Sequence, residues 1–108
     1  MCEVTQYIKL VEANDCQITF CKACKTFSLA YKACCASFTP EEFDQFQNLL
    51  ANLNDWDFHY DFIGQKMTIV KNPLSCVGFC LTRSDAAILK RAIRESLILY
   101  DAFHIIYQ

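Results

Sequence analysis

The plan of the chain follows from a stretch that occurs twice. Cys34 to Leu53 runs C-C-A-S-F, then T-P-E-E, then F-D-Q-F-Q-N-L-L-A-N-L; Cys76 to Leu97 runs C-V-G-F-C-L, then T-R-S-D, then A-A-I-L-K-R-A-I-R-E-S-L. Each copy is a short apolar run, a capping tetrapeptide and an amphipathic run. With Thr39 set on Thr82, Phe38 falls on Leu81, Ala36 on Phe79, Cys34 on Val77 and Glu42 on Asp85. A threonine followed three residues later by a carboxylate is a capping box, and Pro40 occupies the first helical position of its copy. A cap directly behind an apolar run predicts a strand feeding straight into a helix. The expected fold is α+β: an antiparallel sheet of about six or seven strands with two helices on one face. It forms one domain over residues 1–108, with two similar β-β-α halves at about 16–54 and 56–108.

The rest of the pattern fills that frame. Tyr7 to Glu12 and Cys16 to Phe20 predict two strands around Ala13-Asn14-Asp15, which has good turn chemistry. Cys21-Lys22-Ala23-Cys24 follows at a hairpin tip, before a strand over Thr26 to Tyr31 with Phe27, Leu29 and Tyr31 on one face. Lys32-Ala33 then turns the chain into Cys34 to Phe38. In the first helix Phe43, Phe46, Leu50 and Leu53 make an apolar stripe that Leu49 widens. Trp56 to Phe62 alternates as a strand, and Gly64-Gln65 suits a two-residue hairpin into Lys66 to Val70. Asn72-Pro73 ends that strand. Cys76 to Leu81 is apolar on both faces and is expected centrally, with Gly78 marking a bulge or a close backbone approach. In the last helix Ile88, Leu89, Ala92, Ile93, Leu97, Leu99, Tyr100 and Phe103 share one side, and Ile98 lies out of place among charges. The apolar tail F-H-I-I-Y is expected to pack on its own sheet or on a second copy, so a homodimer is one of two arrangements.

Having these residues in hand, the chain resembles a family of small bacterial proteins of unknown function. Cys21 and Cys24, Thr39-Pro40-Glu41-Glu42-Phe43 with Phe46, and Cys80-Leu81-Thr82 with Leu89 carry the resemblance from about residue 16 onward. Members often place Gly after the second Cys and Phe-Gly-Asn after the next strand, where this chain has Lys25 and Ala30-Tyr31-Lys32. The resemblance implies no activity.

Charge and composition narrow the function. A formal net charge of −2, with ten Lys and Arg spread along the chain, removes the attraction that a phosphate-backbone binder shows. A basic face would need Lys22, Lys25 and Lys32, and nucleic acid is not an expected partner. No apolar run nears the roughly 20 residues of a membrane helix, and the N-terminus has no signal-peptide pattern, so a cytoplasmic address and no membrane partner are expected. There the eight cysteines read as buried thiols, metal ligands or redox groups.

Cys21 and Cys24 are the leading metal candidates, because a C-x-x-C on a hairpin tip lets both thiolates reach one zinc ion, which needs four ligands. Cys2 and Cys16 are the more accessible completing pair; the Cys34-Cys35 pair, Cys76, Cys80 and His59 are the other donors. Cys76 and Cys80, four apart on a strand, stand about 13 Å apart. Cys34, Cys35, Cys76 and Cys80, set among Ala, Val, Phe and Leu, read first as core filler. Asp57, His59 and Asp61 read as the solvated face of an edge strand, and His104 as a core or C-terminal residue. No nucleophile elbow is present, and two glycines in the whole chain leave no phosphate loop. The leading expectation is a non-enzymatic interaction or regulatory module with an unidentified protein partner and a zinc staple at Cys21 and Cys24. The alternative is a thiol redox enzyme or redox sensor using the same pair.

Overall fold

A computed structural model describes residues 7–71 and 78–106. In chain order the elements are β1 (Tyr7–Ala13), β2 (Cys16–Cys21), β3 (Thr26–Tyr31), β4 (Cys34–Phe38), α1 (Pro40–Ala51), a 3-10 turn (Asp55–Asp57), β5 (Tyr60–Phe62), β6 (Gln65–Lys71), β7 (Gly78–Thr82) and α2 (Arg83–Ile106). The fold is α+β, and both strand-to-helix junctions are present. Thr39 Oγ1 accepts from the Glu42 amide while the Glu42 carboxylate accepts from the Thr39 amide. Thr82 and Asp85 do the same at α2.

The strands do not form one sheet. β1-β2-β3-β4 make a four-stranded antiparallel meander, and β5-β6-β7 make a separate three-stranded one. The halves are therefore unequal, four strands and a helix against three strands and a helix, which corrects the single sheet with matching halves. The physical reason is α1, whose apolar stripe serves both sheets at once. Phe46 packs on Phe38 of β4 and on Phe79 of β7, with ring centroids 5.1 and 5.5 Å away. With α1 packed against both sheets, β7 pairs, among the described strands, only with β6 and is an edge strand rather than a central one. Its residues alternate: Phe79 and Leu81 are buried while Gly78 and Cys80 are exposed. Its register with β6 runs unbroken from Lys71↔Gly78 to Met67↔Thr82, so β7 has no bulge among the described residues from Gly78 on. The irregularity lies in β1 instead, between Lys9 and Val11. A bulge there lets both Leu10 and Val11 turn toward the core from an edge strand.

The core sits between the inner faces of the sheets and the helices. Ile18, Phe27, Leu29, Phe43, Phe46, Leu89 and Ile93 are all fully buried. Phe27 stacks on Phe43 at 4.4 Å between centroids, an aromatic contact that fixes α1 over β3. Leu49, expected to widen the α1 stripe, is instead 44% exposed.

Turn chemistry sets the hairpins. Asn14 and Asp15 (φ +54° and +62°) form the two-residue turn between β1 and β2, the left-handed conformation these side chains tolerate best. The β5–β6 turn is Ile63-Gly64, not Gly64-Gln65, because Phe62 pairs with Gln65. That places a β-branched residue at φ +51°, beside Gly64 at +76°. The strand expected over Trp56 to Phe62 shrinks to Tyr60–Phe62. Asn54 is the cause: its side chain accepts from the Trp56 amide while its own amide donates to Asp57, winding the chain into a 3-10 turn.

Candidate functional site

The C-x-x-C occupies the β2–β3 hairpin tip, as expected. Cys21 ends β2 opposite Thr26, and the four residues between them form the loop. Three local features shape it. The Lys25 amide donates to the Cys21 carbonyl at 2.8 Å. The Cys24 amide donates to Cys21 Sγ at 3.4 Å. Lys25 itself takes φ +56°. The last of these is a left-handed conformation that glycine adopts most readily, and here a lysine adopts it. An amide aimed at a sulfur stabilises negative charge on that sulfur, which is what a metal-bound thiolate carries. Cys21 is buried and Cys24 exposed, so the pair spans the boundary between protein and solvent. Lys22 and Lys25 are exposed on the same loop and place positive charge beside the two sulfurs.

The other expected donors are dispersed. Cys16 begins β2, five residues before Cys21, roughly 17 Å away along the strand. One ion cannot bridge that gap. Burial also pushes the Cys16 thiol up to about 11, away from the thiolate a metal requires. Cys34 pairs with Tyr31 at that same far end of the sheet. Cys80 lies in the second sheet, its Sγ 3.7 Å from Met67 Sδ. Cys2 and Cys76 lie outside the described residues. Among the described residues no three His, Cys, Asp or Glu side chains gather as a metal site. Cys34, Cys35 and Cys80 are exposed, not core filler; in β7 the alternation buries Phe79 and Leu81 and turns Cys80 to solvent. Asp57 and His59 leave the strand face assigned to them. Asp57 closes the 3-10 turn, and His59 Nδ1 lies 3.2 Å from the Trp56 carbonyl.

The chain belongs to DUF6686, a family of unknown function. The family model matches residues 1–91, from ahead of β1 into α2. No curated protein and no solved structure matches the chain. The matched span contains the hairpin tip and both capping boxes. The redox alternative sits poorly on this geometry. A thioredoxin-type pair stands at a helix N-terminus, where the dipole lowers the thiolate pKa; here the pair stands between two strands.

A second polar cluster was not legible as a site in the sequence. Asp85, only 8% exposed, accepts from the Tyr31 hydroxyl and, at 3.1 Å, from Lys32 Nζ while capping α2. Burial alone would raise its pKa, but hydrogen bonds from Tyr31, the Thr82 backbone and Lys32 outweigh it and hold the carboxyl below its ordinary value. The Tyr31 phenol moves the other way, raised first by burial and then by its bond to Asp85. The cluster latches the start of α2 to the end of β3. Only the capping role of Asp85 had a sequence signal.

Between β1 and α2 runs a groove of about 310 Å³, floored by Val11, Ala13, Ile88 and Ala92. Arg91 and Glu95 at its rim face each other at 3.8 Å.

No helix among the described residues is long and apolar enough to cross a membrane.

Proposed function

We propose that this DUF6686 domain is a non-enzymatic interaction or regulatory module whose β2–β3 hairpin tip is stapled by zinc through Cys21 and Cys24. The observation that carries the reading is the hairpin tip itself: the Cys24 amide on Cys21 Sγ and the left-handed Lys25 pre-shape the turn for a metal-bound pair of sulfurs. Zinc favours such a thiolate pair and adds its binding energy to folding. Large apolar side chains left in solvent support an interaction role. Trp56 and Ile63, on either side of β5, are 87% and 85% exposed, and Ile98 on α2 is 61% exposed. A homodimer through such residues is one form the interaction takes in this reading.

The test is metal content and thiol reactivity on untagged protein purified without chelator. The expected result is zinc bound, with Cys21 and Cys24 slow to alkylate until the metal is stripped. Protein that neither carries nor takes up zinc, with Cys24 alkylating equally fast in its presence, overturns the reading. A Cys21–Cys24 disulfide forming reversibly at cytosolic potentials would instead favour the redox alternative.

A further inference from the structure

We propose that the free edge of β4 is a self-association surface, on which a second copy of this chain adds its own β4 antiparallel, across a two-fold axis at Ala36. The inference deepens the interaction reading above by naming a surface and a partner, and it does not depend on zinc.

The two edges of the first sheet are built differently. β1 and β4 are its outer strands, and among the described residues each is paired on one side only. β1 carries devices that keep an edge from pairing: a bulge between Lys9 and Val11, and the exposed charges of Lys9 and Glu12. β4 carries neither. Its sequence C-C-A-S-F has no charge and no proline, and its register with β3 runs without a shift from Tyr31↔Cys34 to Phe27↔Phe38. Cys34, Cys35 and Ser37 are exposed. A regular, uncharged edge of this kind is a template for another strand.

The backbone of β4 sets the register. Lys32-Ala33 is a two-residue turn, and such a turn closes on a pair that exchanges both of its ladder bonds, here Tyr31↔Cys34. Alternation then directs the amides and carbonyls of Cys34, Ala36 and Phe38 toward β3, and those of Cys35 and Ser37 toward the free edge. The run ends at Thr39, whose amide is taken by the Glu42 carboxylate. Two outward residues that flank Ala36 match an antiparallel copy in one register. Cys35 bonds the partner's Ser37, Ser37 bonds the partner's Cys35, and Ala36 lies on the axis. A slip of two residues in one direction sets Ser37 against the Lys32-Ala33 turn of the other copy. In the other direction it sets Cys35 against the helix cap.

The occupant is a second copy because the edge is complementary to itself, as a two-fold contact requires. A neutral strand meets its own copy with no like charges opposed. The side chains nearest the axis are small: Ala36 meets its counterpart where the backbones approach most closely, about 4.5 Å between α-carbons, and Cys35 meets Ser37. Pairing joins the four-stranded sheets of the two copies into one continuous sheet.

The experiment is sedimentation equilibrium of the full chain in reducing buffer, which keeps chance disulfides out. A reversible dimer is expected. Ser37→Pro removes an outward amide but no bond to β3, at a kind of position where an edge strand tolerates proline. It should keep the wild-type circular dichroism and weaken dimerisation at least about tenfold, since each copy loses a donor and leaves the other copy's acceptor unpaired. The register is read separately. In a Cys34→Ser, Cys35→Ser background, Ala36→Cys should give a covalent dimer on mild oxidation, mapped by mass spectrometry to the introduced thiols, because directly opposed α-carbons lie within disulfide range. That variant decides the matter even where the proline variant fails to fold. A wild-type chain that stays monomeric up to about 1 mM, a dimer indifferent to Ser37→Pro, or a dimer in which Ala36→Cys does not cross-link overturns the proposal. The zinc staple is decided by metal content instead: zinc-free protein that still dimerises through Ala36 removes the staple and leaves this edge standing.

Discussion

Removing the Asp85 carboxylate tests whether one buried acid joins the first sheet to α2. In Asp85→Ala the Tyr31 hydroxyl, in a residue only 4% exposed, is left without its acceptor, which costs about 1–3 kcal/mol. Loss of half of the α2 capping box adds about 1 kcal/mol. The Lys32 contact adds little, because that side chain is 58% exposed and screened by solvent. The expected loss is therefore roughly 2–4 kcal/mol, a large part of the 5–15 kcal/mol that holds a small domain folded. In a chain of 108 residues this corresponds to a fall in Tm of order 10–30 °C. A double-mutant cycle with Tyr31→Phe isolates the shared bond, with an expected coupling of about 1.5–3 kcal/mol for a hydrogen bond to a charged acceptor. The coupling should also depend on pH. Asp85 is held below its ordinary value when folded, so its contribution is full above the unfolded carboxyl value of about 3.9 and fades as pH falls through the lower folded value. Urea unfolding of wild type and Asp85→Asn should show a gap that is constant near neutrality and closes in acid. Additive single mutants within about 0.5 kcal/mol, or a gap that persists into strong acid, would refute the latch.

Other consequences are simpler to test. Ile63→Asn should stabilise the domain by about 1 kcal/mol, since Asn-Gly suits the two left-handed positions of this turn better than a β-branched residue; thermal melts check it, and a lower Tm would count against it. In metal-free protein, mass-mapped alkylation should label Cys24, Cys34, Cys35 and Cys80 fast and Cys16 slowly, following their exposure. Fast labelling of Cys16 under native conditions would show that the start of β2 opens. Because the Cys16 thiol is raised from 9.0 to about 11 in the folded state, its contribution is intact below pH 9.0 and is lost as pH climbs toward about 11, where only the unfolded chain has ionised it. Cys16→Ala should therefore lose less stability over that interval than wild type, as alkaline denaturant titrations can measure.

The hairpin tip and the latch differ in how far apart their parts lie in sequence. Cys21, Cys24 and Lys25 are neighbours, so the loop could be read from spacing. What spacing could not supply was the positive φ at Lys25, because side chain and turn geometry disagree there. Tyr31 and Asp85 are 54 residues apart, and no local pattern links a strand-end tyrosine to a helix cap. Cys80 was misjudged for a related reason: it sits in an apolar run, yet Phe79 and Leu81 fill the core while Cys80 faces solvent from the other side of the strand.

Local chemistry determined the elements of this protein. Thr39 and Thr82 start helices where the chain says they start, since a capping box satisfies amides within a few residues of itself. Asn14-Asp15 turns β1 into β2 because those side chains accept left-handed backbone. The alternation in β2 and β3 sets which face is apolar, since successive strand residues point to opposite sides. Tertiary packing decided the rest. One helix stripe can cover two sheets, and Phe46 does so by touching both Phe38 and Phe79, which splits the strands four and three. Which cysteine is buried and which carboxylate loses its water follow from that division, because burial depends on neighbours that are remote in sequence.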